Sequence, residues 1–147
     1  MKPGTMLVLD RNWSSYLKGE RFYLVAEVPC GELELADGTK ANPTNLRVVL
    51  EHEPVPENTL LCRTIPMEYA VEIPKVGDNY DVDANQGSRM GTVMATWSSQ
   101  FLVEYEMPHG RTFGRVMDVL NPGWYRAVPM HNLPRRWKNA LALEKAA

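Results

Sequence analysis

Three histidines, two cysteines and one acidic stretch are the side chains of this 147-residue chain with the chemistry to do more than pack. His52, His109 and His131 are scattered, and a metal site needs them brought together with carboxylates. His52 does lie between Glu51 and Glu53, but in a strand both carboxylates point to the face opposite the imidazole. Solvated histidines are the expectation for all three. Cys30 precedes Gly31 in a loop signal and could pair with a histidine for nucleophilic chemistry, since such partners meet in space and not in sequence. Cys62 closes the run Thr59-Leu60-Leu61-Cys62 and reads as a small core residue. The two have no CxxC relationship, and a reducing cytosol keeps both as thiols.

The segment Asp81-Val82-Asp83-Ala84-Asn85-Gln86-Gly87 imitates a calcium loop. A true one has glycine at its sixth place and a bidentate glutamate at its twelfth; here Gln86 and Thr92 stand there. A polar strand edge running into a turn explains the stretch better. The chain has no GxSxG, P-loop, HExxH or Rossmann glycine pattern. The residues therefore point to no enzyme activity, no cofactor and no metal.

Binding chemistry is better supplied. Four tryptophans and six tyrosines are many for this length, and several fall where strands meet loops: Trp13 and Tyr16, Trp97, and the pair Trp124-Tyr125. An aromatic anchor beside an arginine is the usual composition of an interface hot spot. Trp124, Tyr125 and Arg126 form one such group; Arg135, Arg136, Trp137 and Lys138 form another. The competing role is core filling, which applies to Trp97, Trp124 and Trp137 alike. The formal net charge of −2 gives no global attraction to nucleic acid, yet residues 126–147 carry five basic side chains against Glu144.

Eleven prolines and ten glycines cut the chain into short pieces that suit strands and turns. Strand signals cover Thr5 to Asp10, Arg21 to Val28, Gly31 to Leu35, Leu46 to Glu51, and Leu60 to Ile73 with Pro66 breaking the last. Asn12 or Ser14 could cap a single helical turn that Gly19 ends. Strands follow at Tyr80 to Ala84, Arg89 to Trp97, Gln100 to Met107, Phe113 to Leu120 and Trp124 to Val128. In the strongest, Phe101, Val103, Tyr105 and Met107 share one face, while Leu102 joins Glu104 and Glu106 on the other. Arg135 to Ala147 is rich in helix formers.

Five short strands in about fifty residues predict a small antiparallel barrel. The expected fold is all-β, with one or two SH3-like (or OB-like) barrels and a short C-terminal helix. The expected organisation is a β-rich unit over 1–74, a five-stranded barrel over 78–129 and a helical tail over 130–147. Lys2-Pro3-Gly4-Thr5 and Lys75-Val76-Gly77-Asp78 precede a strand in each half and hint at duplication. The expected function is binding of another protein, for instance as a bacterial or phage accessory protein that modulates or inhibits a host complex. Nucleic-acid binding is the alternative, and an unrecognised enzyme the second. No stretch approaches the roughly 20 apolar residues of a membrane span, and no leader signal is visible, so a cytoplasmic place is expected.

Overall fold

The computed structural model describes residues 1–29, 33–34, 36–38, 40–41, 44–83, 87–121 and 126–146. It is mostly β, with two five-stranded antiparallel sheets and one C-terminal helix. The chain divides into two compact units, Met1–Glu72 and Ile73–Ala147.

The first unit contains β1 (Met6–Leu9), β2 (Arg21–Pro29), β3 (Leu33–Glu34), β4 (Lys40–Ala41), β5 (Thr44–Leu50), β6 (Arg63–Pro66) and β7 (Ala70–Glu72). Its sheet runs β6-β5-β2-β1-β7, so the last strand returns to lie beside the first. β3 and β4 form a separate hairpin, with Gly38 at φ 84° in its turn. Strand alternation buries Phe22 and Leu24 of β2 with Leu46 and Val48 of β5, Ile65 of β6, and Leu7 and Leu9 of β1.

One sequence expectation fails in this unit, and another is refined. Residues 12–19 form no helical turn; Trp13 and Tyr16 exchange backbone hydrogen bonds (3.0 and 2.9 Å) across a tight Ser14-Ser15 turn. The Asn12 side chain instead accepts the Lys18 N–H at 2.8 Å. The run from Leu60 to Ile73 breaks at Pro66, as its sequence indicates, and is more finely divided. It divides into a 3-10 turn (Thr59–Leu61), β6, a second 3-10 turn (Met67–Tyr69) and β7. Pro66 ends β6 and leads into the second turn, since it offers no N–H to prolong a ladder.

The second unit contains β8 (Asn79–Asp81), β9 (Met90–Trp97), β10 (Gln100–Glu106), β11 (Thr112–Asp118), β12 (Ala127–Pro129) and α1 (Arg135–Ala146). The strands follow one another as a meander, β12-β11-β10-β9-β8. β8 is shorter than alternation alone predicts because the Asp81 carboxylate captures backbone. It accepts the N–H of Asp83 (3.0 Å) and of Arg89 (2.9 Å) and the Ser88 hydroxyl (2.8 Å), which turns the chain after three strand residues. Leu102 on the otherwise polar face of β10 has a clear purpose. With Ala95 of β9 it packs against Leu133 and Trp137, with Val116, Met130, Ala140 and Leu141 around them. That is where α1 docks. The helix in segment 130–147 thus docks through Trp137 and Leu141 and joins the core of the second unit.

The two units repeat one backbone device. Gly4 N–H donates to Leu24 O (2.7 Å), Thr5 N–H to Lys2 O (3.1 Å), and Leu24 N–H to Thr5 O (2.9 Å). Gly77 N–H donates to Val93 O (2.8 Å), Asp78 N–H to Lys75 O (3.0 Å), and Val93 N–H to Asp78 O (2.9 Å). Both glycines have positive φ, 87° and 95°. A bulge follows at the next residue of the second strand in each case. The pairing shifts between Leu24 and Ala26 in β2, and between Val93 and Ala95 in β9. Residues 75–78 are therefore a hydrogen-bonded opening turn of the second unit.

Neither sheet is closed. β6 and β7 end the first sheet, β8 and β12 the second, and among the described residues the two end strands of a sheet do not pair. The second sheet nonetheless curls. Arg115 on β11 reaches over to donate to Val82 O (2.9 Å) and Asp83 Oδ1 (3.0 Å) beyond the end of β8, and to the Tyr105 hydroxyl (3.3 Å). Its side chain is one-tenth exposed.

Candidate functional site

The expected binding residues separate into three groups. Trp124 and Tyr125 lie outside the described residues, and Arg126 is exposed just after them. Trp137 is buried at 4% exposure, its ring filling the core between α1 and the sheet. Arg135, Arg136 and Lys138 flank it on α1 and are exposed. Their separation from Trp137 follows from helical geometry: with the ring turned to the sheet, the adjacent positions point away.

The aromatic partner of Arg136 is a residue that the sequence placed only at a strand end. Trp97, the last residue of β9, keeps 47% of its surface exposed. The Arg136 guanidinium lies 4.0 Å from its ring centroid, a stacked cation–π arrangement. Two features bring them together. β9 packs along α1, and the two-residue Ser98-Ser99 turn into β10 holds Trp97 at the sheet's end, beside the first turn of the helix. Leu143, seven residues after Arg136 and thus on the same side of α1, is 73% exposed. Arg135, Arg136 and Lys138 make no ion pair among the described residues. The signal that could have placed Trp97 here is the apolar stripe Ala95, Leu102, Val116 on the outer face of the sheet, which calls for a covering helix.

Trp13, Tyr16 and Tyr69 are committed to contacts within the first unit. Trp13 stacks on Tyr16 (6.4 Å between centroids), and Tyr16 meets Phe22 edge-on at 5.4 Å. Arg63 Nη1 donates to the Tyr16 hydroxyl at 2.9 Å, while Arg63 Nε and Nη2 clamp the Glu53 carboxylate at 2.8 to 3.1 Å. The hydrogen bonds from Arg63 hold the Glu53 carboxyl below its ordinary range, and those to Glu53 and Tyr16 raise the Arg63 guanidinium further. Arg11 pairs with Asp10 at 2.7 Å and lies 4.0 Å over the Tyr69 ring.

Candidate chemistry fares differently from its expectation in one place. β5 ends at Leu50, and Glu53 N–H turns back to Leu50 O at 2.9 Å. Strand alternation does not reach Glu51, His52 and Glu53, and all three line one open hollow with Glu20, Arg21 and Leu50. Glu51 is occupied by Arg21 (2.9 Å) and Glu53 by Arg63, and His52 is exposed. A neighbouring open groove of about 560 Å³ is lined mainly by Tyr23, Val25, Val49, Pro54 and Val55. Among the described residues no group of three His, Cys, Asp or Glu side chains converges as metal ligands do. Asp83 of the calcium-like stretch binds Arg115 and faces Arg89 at 3.6 Å. Cys62 is a buried free thiol; Cys30 lies outside the described residues. No described helix is long and apolar enough to cross a membrane.

Compared with known proteins, the chain matches no family model, no curated protein and no solved structure.

Proposed function

We propose that this is a non-enzymatic binding protein whose partner is another protein, contacted through the face of the second unit around Trp97 and Arg136. The observation that carries the proposal is the half-exposed Trp97, with the Arg136 guanidinium 4.0 Å over its ring. Tryptophan and arginine are the residue types most enriched in binding hot spots. A ring already fixed by its neighbour loses little further freedom on association, which favours affinity. Leu143, seven residues after Arg136, extends the apolar part of the face along α1.

The finer fold reading belongs to the same proposal. In the first unit the fifth sheet strand returns beside the first directly after a 3-10 turn, which supports an SH3-like architecture for that unit. The shared opening turn and bulge support the same ancestry for the second, with its last strand placed beside β11. Small barrels of this kind are a frequent scaffold for interaction surfaces grafted at strand ends.

Affinity capture with the wild-type chain and with a Trp97→Ala/Arg136→Ala double variant tests the function. The expected result is loss of the captured protein with the melting temperature nearly unchanged, because both side chains lie at the surface. Recovery of the same protein by both baits overturns the proposal.

A further inference from the structure

We infer that each unit carries a latch at the same place in its sheet, an arginine that pins the loop following the first strand. In the first unit the latch releases that loop while the sheet stays folded. The strand registers place the two arginines. Leu24 exchanges hydrogen bonds with Gly4 and Thr5 of the opening turn; it pairs with Val48, and Val48 pairs with Arg63. Val93 exchanges the same bonds with Gly77 and Asp78; it pairs with Val103, and Val103 with Arg115. Counted from the shared turn, Arg63 and Arg115 hold one position, on the fourth sheet strand of each unit in chain order. Both cross to the segment that follows the unit's first strand. Arg63 Nη1 donates to the Tyr16 hydroxyl at 2.9 Å, and Arg115 Nη1 to Val82 O at 2.9 Å and Asp83 Oδ1 at 3.0 Å. Each guanidinium also stands near a tyrosine ring, Tyr16 at 5.6 Å and Tyr105 at 5.5 Å.

Burial separates the two latches. The Arg115 side chain is one-tenth exposed and bonds a backbone carbonyl, so its loss leaves buried acceptors unpaired and weakens the whole unit. The Arg63 side chain is 37% exposed and that of Glu53, its carboxylate partner, 31%, so water replaces these bonds at little cost. The loop that Arg63 holds has few bonds of its own. Trp13 and Tyr16 exchange backbone hydrogen bonds, and Lys18 N–H donates to Asn12 Oδ1. A bridge this short is marginal in water without support, so these bonds open once the latch lets go.

Native-state hydrogen exchange on the full chain is the test. In the wild type the Trp13 and Tyr16 amides should exchange about tenfold or more faster than the Leu24 amide, while Val82 keeps pace with Val93. Arg63→Met, which keeps an unbranched side chain and drops the guanidinium, should speed Trp13 and Tyr16 about tenfold or more and leave Leu24 near its wild-type rate. Tyr16→Phe removes only the hydroxyl and keeps the ring against Phe22. It should act in the same direction, and it decides the matter if Arg63→Met does not fold. Arg115→Met should lower the melting temperature more than Arg63→Met does, up to complete loss of folding. Unchanged Trp13 and Tyr16 amides in the variants overturn the latch. Wild-type loop amides as slow as Leu24, or equal acceleration of Leu24 in Tyr16→Phe, overturn its independent release. Exchange at Val82 far faster than at Val93, or equal thermal losses at the two arginines, overturns the contrast between the units.

Discussion

Gly91 and Gly114 look alike in the sequence, a glycine inside each of two strands, yet the structure gives them different tolerances. A Cβ at Gly91 would lie 2.5 Å from Val103 Cγ1 and 2.7 Å from the Glu104 carbonyl oxygen, and a backbone atom cannot step aside. At Gly114 the neighbours are the Met130 Sδ at 2.9 Å and the leucine methyls of Leu102 and Leu133 at 3.0 and 3.2 Å. Gly91→Ala should therefore cost about 3 kcal/mol, the upper range for overpacking, and Gly114→Ala about 1 kcal/mol, because a thioether yields. Chemical denaturation of both variants checks the order; equal losses would show that the β9–β10 contact relaxes. Asp81 offers a pH test at the same scale. Hydrogen bonds from the Arg89 N–H and the Ser88 hydroxyl hold its carboxyl below the ordinary 3.8. A carboxyl depressed in the fold contributes stability that is full above its unfolded value and is lost as pH falls through the lower folded one. Stability should drop below about pH 4, with Asp10 and Glu53 acting in the same direction. Asp81→Asn keeps an oxygen for both N–H groups and should flatten its share of that drop; an unchanged acid slope would show that the Asp81 bonds do not hold the turn. None of these roles was legible from residue type. Asp81 reads as a strand residue until its carboxylate is seen taking two backbone N–H groups.

At the scale of elements, the strands were legible wherever one face is buried. β2, β9, β10 and β11 lie within two residues of where alternation puts them. The failures fall where a side chain, and not periodicity, decides the path: Asp81 cutting β8 short, and Asn12 and the Trp13–Tyr16 bridge in place of a helical turn; the break at Pro66 was legible. The helix was legible, and so was the choice it poses for Trp137. That ring is inside the second unit. Trp137→Ala should cost about 3–5 kcal/mol, the range for removing a large aromatic core side chain. Trp97→Ala, removing a half-exposed ring, should stay within about 0.5 kcal/mol. Thermal melts of the pair decide it, and a larger loss at Trp97 than at Trp137 would reverse the assignment of core and surface. The tryptophan that belongs to the candidate face was not chosen from the sequence because its cation comes from 39 residues further on, and strand ends give no signal of what will cover them.

On the scale of the whole molecule, the two units repeat a turn and a bulge that the sequence betrays only as Lys-X-Gly. Hydrogen bonds from the glycine N–H to the second strand, and the misregister just after, are backbone features that many side chains can satisfy, so the two turns match where residue identity does not. The charges of the units differ: residues 1–72 hold seven basic and eleven acidic side chains, a net of −4, and residues 73–147 nine and seven, a net of +2. Each unit has its own sheet and its own buried cluster. A fragment of residues 73–147 should thus hold a β-rich fold by itself, with α1 docked on Ala95 and Leu102. Within it Gly77 is the sensitive point. Its φ of 95° favours glycine, and its N–H ties the opening turn to Val93. Gly77→Ala should lower the stability of that fragment by about 1–2 kcal/mol through the left-handed backbone alone, since nothing lies within 4 Å of the added methyl. The matching Gly4→Ala change should do the same to a fragment of residues 1–72 and leave 73–147 untouched. Circular dichroism melts of the two fragments with and without these changes give the answer. Should 73–147 be unfolded while the intact chain melts cooperatively, the units share a single folding transition, and the repeated turn is a feature of one domain.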